Sequence, residues 1–178
     1  MGLDIAAISN VKFVTLAEAE DLEKEGIDVS SAWINDAFEH QAHDYLDHTV
    51  DDSGCGLKYI HNGEGIAFRA GSYSTYNAFR RYLCVAVNGM TAEQLWESGD
   101  DTLPFFHLIN FSDCEGVIGA TVSEELYRDF VKYKELFSVF IEQQQEEDQQ
   151  NHQWMKRVYD DFTKGFDAAR QEGLLIFG

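Results

Sequence analysis

From Gly65 to Ala92 the chain carries no Asp or Glu, although its formal net charge is −19. The only charged side chains in that stretch are Arg69, Arg80 and Arg81. Its patterning is also the clearest in the chain. Ile66 to Ala70 reads as a strand, Gly71 breaks it, and Ser72 or Ser74 can cap a helix running to about Val87. Tyr76, Phe79, Leu83 and Val87, three or four residues apart, form the inner stripe of that helix. A local positive field in a self-repelling molecule marks a place for an anion or for an acidic loop of the same chain.

Around this segment the remaining elements follow from short-range signals. Leu3 to Val14 favours one strand or a tight hairpin broken at Ser9-Asn10, and 18–28 reads as a solvated acidic loop. Val29 to Ile34 reads as a short strand, while 35–52 fits either a polar helix or an acidic loop. Leu57 to His61 and Ile66 to Ala70 flank Asn62-Gly63, the strongest hairpin signal present. Thr91 to Ser98 is a short helix ended by Gly99. After Pro104, the run FFHLINF reads as a buried strand, and SDCEG as a turn. Thr121-Val-Ser-Glu124 matches a capping box, so a helix is predicted from there to about Gln145. A last helix covers about His152 to Glu172, stopped by Gly173 before a strand at Leu174 to Phe177.

Strands and helices mostly segregate along the chain. The expectation is an α+β fold in a single domain over 1–178, with an antiparallel or mixed sheet and helices packed on one side. A hydrophobic fraction of 44% and an aromatic fraction of 13% over 178 residues support a packed core despite the charge.

The acidity argues against direct nucleic-acid binding, which needs clustered Lys and Arg to release counterions. No apolar run approaches the ~20 residues of a membrane span. Cys55, Cys114 and Cys84 show no C-x-x-C spacing, and the N-terminus lacks a signal-peptide pattern, so free thiols in a reducing cytoplasm are expected. No phosphate-binding loop, dinucleotide fingerprint or hydrolase elbow occurs, and no cofactor is expected.

Two islands carry the chemistry. In the first, a glycine-preceded helix N-terminus with Ser72, Tyr73, Ser74 and Thr75 offers backbone N–H groups and hydroxyls to an anion. Arg69 precedes the turn, Asn77 and Arg81 share a helix face, and Arg80 lies nearer the buried stripe. In the second, NFSDCEGVIG, Asp113 and Glu115 sit on a turn where they could clamp an arginine or act as general acid and base. Attraction of opposite charge predicts that Arg69, Ser72, Tyr73, Ser74, Asn77, Arg81, Asp113 and Glu115 converge into one polar cleft. A third cluster, His40, His43, Asp44, Asp47 and His48, has metal-capable spacing on a helix but no zinc-protease signature, and solvated surface is the preferred reading.

Three motifs in order, MGLDI at the start, FRAGSYS with Tyr76-Asn77, and INFSDCEGVIG at Ile109 to Gly119, resemble a family of small bacterial, prophage and phage proteins without an established activity. A looser likeness covers the aromatic C-terminal helix ending in Ala168-Ala169 and the strand after it, whereas 17–56 matches poorly. The resemblance implies phage or mobile-element carriage, where small accessory proteins often bind host machinery.

The expected function is therefore a non-enzymatic accessory protein that binds a host protein or a small anionic ligand through the polar cleft. One alternative is an enzyme on an anionic or nucleotide-like substrate, with Glu115 or Asp113 as general base. Another is a polyanion mimic whose carboxylates, among them Asp44, Asp47, Asp51 and Asp52, occupy a nucleic-acid enzyme.

Overall fold

A computed structural model of the protein describes residues 2–33, 56–63, 65–111, 116–144 and 149–178, with the backbone alone at 33, 149 and 150. The first half of the described chain comprises β1 (Gly2–Ile8), β2 (Val11–Phe13), α1 (Leu16–Lys24), β3 (Ser30–Trp33), β4 (Gly56–His61) and β5 (Gly65–Ser72). β1 runs antiparallel to β5, from Gly2 opposite Ser72 to Ile8 opposite Gly65. The pairing resumes beyond a kink as β2 against β4, Val11 opposite His61 and Phe13 opposite Tyr59.

These four strands thus make one long ribbon bent at Ser9–Asn10 and Asn62–Gly63. The expected hairpin at Asn62-Gly63 is corrected: β4 and β5 lie in different sheets and do not pair with each other. The glycine serves a close crossing instead. A Cβ at Gly63 would stand 2.2 Å from Ser9 Oγ and 2.3 Å from the Ser9 carbonyl oxygen, so only glycine lets the two bends touch.

The second half contains α2 (Tyr73–Asn88), α3 (Ala92–Ser98), α4 (Phe106–Asn110), β6 (Gly116–Gly119), α5 (Ala120–Glu142), α6 (Gln149–Ala169) and β7 (Leu174–Phe177). The sheets have orders β5-β1-β7-β6 and β2-β4-β3, and every pairing is antiparallel. The fold is α+β in one domain. Alternation along the strands divides the interior. Leu3, Ile5, Ile118, Leu175 and Phe177 join the main core with α2, α5 and α6, while Ile8, Val117 and Leu174 join a smaller one with Ala32, Leu57 and Tyr59 of the second sheet. Helices therefore cover one side of the four-stranded sheet, and the three-stranded sheet meets part of the other. No helix among the described residues is long and apolar enough to cross a membrane.

Three further expectations are corrected. Within 18–28, read as a loop, the chain continues α1, which starts at Leu16 behind a capping box: Glu18 N donates to Thr15 Oγ1 at 3.3 Å and Thr15 N to Glu18 Oε2 at 2.8 Å. The Thr15 backbone N–H first, and then its hydroxyl, donating to Glu18 Oε2 at 2.9 Å, hold the Glu18 carboxyl below its ordinary pKa. At Thr121–Glu124 the box is not formed. α5 begins at Ala120 with Gly119 as its cap, and Glu124 instead meets Arg128 at 2.8 Å and Arg170 at 2.9 Å.

The third correction concerns FFHLINF, which is helical rather than extended over Phe106–Asn110, while the strand lies at Gly116–Gly119. Short apolar runs do not distinguish a strand from a buried helix by period. Tertiary contacts decide here. Phe105 adopts a left-handed conformation, φ 60°, and its N–H donates to Asp129 Oδ2 at 2.7 Å, which starts α4. Burial raises the Asp129 pKa against the opposing effect of that hydrogen bond.

Two predictions follow from these contacts. Gly63→Ala should destabilise the protein by about 1–3 kcal/mol through overpacking. Gly65→Ala, whose Cβ would meet nothing nearer than 3.6 Å, should change stability by less than about 1 kcal/mol. Urea denaturation of both variants checks the contrast. Asp129 is protonated more readily folded than unfolded, so its own contribution disfavours the native state above its raised pKa and is relieved as pH falls through it. Asp129→Asn keeps an acceptor for Phe105 N–H. Relative to wild type it should gain stability at pH 7, and that advantage should shrink as pH falls through the window just above the ordinary Asp value.

Candidate functional site

α2 owes its start to the glycine and hydroxyls preceding and opening it. Gly71 has φ +91°, and Trp154 of α6 fills the space where its side chain would stand, 2.7 Å from the position of a Cβ. Ser72 caps the helix: its Oγ accepts from Thr75 N at 3.2 Å and lies 2.9 Å from Ser74 Oγ and 2.5 Å from Thr75 Oγ1. Tyr73, half-buried, packs against the edge of the main core. The inner face of α2 carries Tyr76, Phe79, Arg80, Leu83 and Cys84, all buried. Burial pushes the Cys84 thiol up to about 11, which leaves it a packing residue rather than a nucleophile.

The outer face of the same helix borders a groove of about 610 Å³. Ser74, Asn77, Ala78, Arg81, Tyr82 and Val85 line one side, and Phe140 and Gln144 from the end of α5 line the other. The Tyr82 and Phe140 rings meet edge-on with centroids 6.1 Å apart. Val85 is 41% exposed, and Leu136 and Val139, beside Phe140 on α5, are 47% and 48% exposed, so apolar surface continues past the groove. Among the described residues Arg81 is the one charged residue in the lining. Its guanidinium stands 3.8 Å from Glu93 with both side chains exposed, leaving it able to turn toward a ligand. Glu93 is held below its ordinary pKa by its own backbone N–H first, then by Thr91, and more weakly by Arg81.

The predicted site residues thus divide. Ser74, Asn77 and Arg81 share the groove. Ser72 and Tyr73 stand at its helix end but outside the lining, and Arg69 lies on β5 facing Asp4 across β1, its Nε 4.0 Å from Asp4 Oδ1. Asp113 and Glu115 lie outside the described residues, as do Cys55, Cys114 and the cluster His40, His43, Asp44, Asp47 and His48. Among the described residues no group of three His, Cys, Asp or Glu could hold a metal ion.

The residue that links the two sequence islands is Arg80, which lay outside the predicted cleft. It is 5% exposed, and its Nη1 donates to the carbonyls of Ile109, at 3.2 Å, and of Phe111, while Nη2 donates to Asn77 Oδ1. Its guanidinium also lies over the Tyr76 ring, 4.8 Å from the centroid. Trp96 Nε1 adds a second donor to the Ile109 carbonyl at 3.3 Å. The end of α4, and with it the entry to 112–115, is therefore fixed to the inner face of α2. Position beside the apolar stripe was the available sequence signal for Arg80. Nothing local in the sequence relates Phe140 and Gln144 to α2.

No family model matches the chain, and no match is found among curated proteins or solved structures. The resemblance read from the motifs rests on those motifs.

Arg80→Met should destabilise the protein by about 2–3 kcal/mol, because it removes buried charge-assisted bonds to the Phe111 and Ile109 carbonyls and to Asn77, of which only the Ile109 carbonyl has Trp96 as a second donor. The neighbouring Arg81→Ala should stay within about 0.5 kcal/mol of wild type, as expected of an exposed pair. Chemical denaturation of the two variants side by side checks this division between anchor and surface.

Proposed function

We propose that the protein acts by binding, and that the α2–α5 groove takes a ligand combining an acidic group with an apolar body. One observation carries the reading: Ser74, Asn77 and Arg81 lie along the same groove as Tyr82, Val85 and Phe140. A guanidinium recognises a carboxylate or phosphate through paired N–H donors, and flanking amides and hydroxyls fix its orientation. The ring and aliphatic walls remove the rest of the ligand from water. Arg81 gives this groove a positive centre on a molecule of net charge −19, so an anion drawn to it meets attraction there and repulsion elsewhere.

Among the described residues the lining includes no histidine, cysteine or carboxylate, and its polar groups are those of a recognition surface. The enzymatic alternative needs Asp113 or Glu115, outside the described residues; polyanion mimicry draws on carboxylates in 17–56 and from Glu135 to Asp148, of which those in 34–55 and 145–148 lie outside them. The likeness of the motif islands to phage and prophage proteins supports a ligand drawn from host machinery. An acidic segment of a host protein and a small organic acid present the same chemistry to the groove.

The test uses 4-phenylbutyrate and phenyl phosphate as small probes, a short acidic peptide with leucine and phenylalanine anchors, and inorganic phosphate as the probe lacking an apolar body. At a hundredfold excess over its dissociation constant a bound probe should stabilise the native state by about 2.7 kcal/mol, read as a raised melting midpoint. Arg81→Ala and Tyr82→Ala should each weaken binding roughly tenfold, while inorganic phosphate binds poorly. Preference for the peptide would indicate a protein partner, and preference for the small acids a metabolite. Binding indifferent to both substitutions, or no binding by any amphipathic probe at millimolar concentration, overturns the proposal.

A further inference from the structure

Three bends of the backbone meet at one end of the four-stranded sheet: Ser9–Asn10, Asn62–Gly63, and the turn from α6 into β7. Asn10 N donates to the Gln171 carbonyl at 2.9 Å and Val11 N to the Glu172 carbonyl at 2.8 Å. Between these bends and the last turns of α6 lies a cavity of about 520 Å³.

Its floor is rigid for reasons visible in the backbone. Asn10 and Glu172 hold left-handed conformations, φ 54° and 52°. Gly173 lies against β1 so closely that a Cβ there would stand 2.0 Å from the Ile8 carbonyl oxygen, as Gly63 does against Ser9. Close packing of this kind restricts how far the bends beside the cavity can shift.

The lining is dominated by hydrogen-bonding groups. Ser9, Asn10, Asn62 and Gln171 contribute one hydroxyl and three carboxamides, with Ile66 and Ala168 as small apolar surface. Lys164 and Asp167, one turn apart on α6, add charges of opposite sign. Asp167 is engaged by Arg170 at 2.8 Å, and Lys164 Nζ stands 4.0 Å from Asp161, so neither charge demands an ionic ligand. The side chain of Asn62 makes no hydrogen bond within the described residues, that of Asn10 makes one long bond, 3.4 Å to Ser9 Oγ, and Gln171 Nε2 donates to the Asp167 carbonyl at 2.8 Å, which leaves its carbonyl oxygen and second N–H for a ligand.

We infer that this cavity binds a small, neutral, hydroxyl-rich molecule, a monosaccharide or cyclic polyol. A carboxamide presents a donor and an acceptor side by side, the pattern that two adjacent hydroxyls complement. Three such groups lining one cavity with a hydroxyl match several vicinal hydroxyls, whereas an apolar ligand would strand them. The volume lies within the roughly 300–1,000 Å³ of small-molecule sites. This site is separate from the α2–α5 groove and shares no lining residue with it.

Titration of the amide spectrum with glucose, ribose and myo-inositol tests the inference, with methyl α-glucoside, glucuronate and 1,6-hexanediol as comparison probes. At least one sugar or polyol should bind saturably at millimolar concentration and shift the side-chain amide signals of Asn10, Asn62 and Gln171. Asn62→Leu and Gln171→Leu should each weaken that binding about fivefold, the loss expected for one neutral hydrogen bond. Equal binding of the methyl glycoside supports capture of a glycan's terminal sugar, and its exclusion supports a free sugar. The inference fails if no sugar or polyol saturates, if 1,6-hexanediol binds as well, if glucuronate alone binds, or if both leucine variants bind like wild type.

Discussion

The ring of Phe162 fixes the geometry on which everything else depends. It lies against Phe68 of β5, Tyr76 and Phe79 of α2, Phe130 of α5, Phe166 of its own helix and Phe177 of β7, with centroids from 5.1 to 6.4 Å away. One side chain on α6 thus gauges the separation of three helices and the sheet. Gly165, one turn along, lets α6 sit low on the strands: a Cβ there would stand 2.9 Å from Leu175 and 3.1 Å from Phe68. Aromatic pairs of this kind contribute about 0.5–1.5 kcal/mol each beyond the area they bury, and they favour particular ring orientations. The rotation of α2 about its axis follows, since Tyr76 and Phe79 must face Phe162.

Once α2 is rotated that way, its two arginines have opposite fates. Arg80 follows Phe79 inward and Arg81 falls on the outer face. A buried guanidinium is costly to desolvate and is tolerated where its donors are satisfied. Backbone carbonyls at the end of α4, the Asn77 amide and the Tyr76 ring supply partners here. Carbonyls that end a helix are the groups most in need of donors. Arg80 therefore solves two problems with one set of bonds, and it leaves Asn77 oriented along the border between core and groove. The groove in turn inherits Arg81, Asn77 and Ser74 because the inner face is already occupied by rings.

How much of this was legible in the sequence depended on whether local or distant groups decided each element. α2 was legible: its stripe, its glycine break and its serine cap are all local, and the helix runs from Tyr73 to Asn88 with Ser72 as cap. The terminal strand and α6 were legible for the same reason. α4 was not, because its start depends on Asp129 taking the Phe105 amide, and Asp129 lies on another helix. The ribbon kink was misread because an Asn-Gly pair suits a hairpin turn and a tight crossing equally well; the deciding atom belongs to Ser9. Thr121 to Glu124 spells a capping box, yet α5 already starts at Ala120, which puts Thr121 inside the helix and leaves Glu124 to pair with Arg128 and Arg170. Of the candidate site, the α2 half could be read from helical spacing. The half contributed by Phe140 and Gln144 required the packing of α5.

The acidic exterior and the positive groove are best understood together. At net charge −19 the surface repels itself, and every exposed carboxylate raises the energy of another anion approaching at random. An acid-free helix interrupts that field. Basic residues placed among acidic neighbours would be neutralised by them, as Arg170 is between Glu124 and Asp167. Excluding carboxylates from Gly65 to Ala92 keeps Arg80 and Arg81 apart from partners on their own helix, so that one turns to backbone carbonyls and the other stays near the surface, its one ion-pair partner among the described residues being Glu93 of α3. The same compositional gap thus permits both the internal anchor and the external cation. Among the residues that line the α2 face and are described, the field is therefore set by Arg81 rather than by carboxylates, which is the physical basis of the binding proposed there.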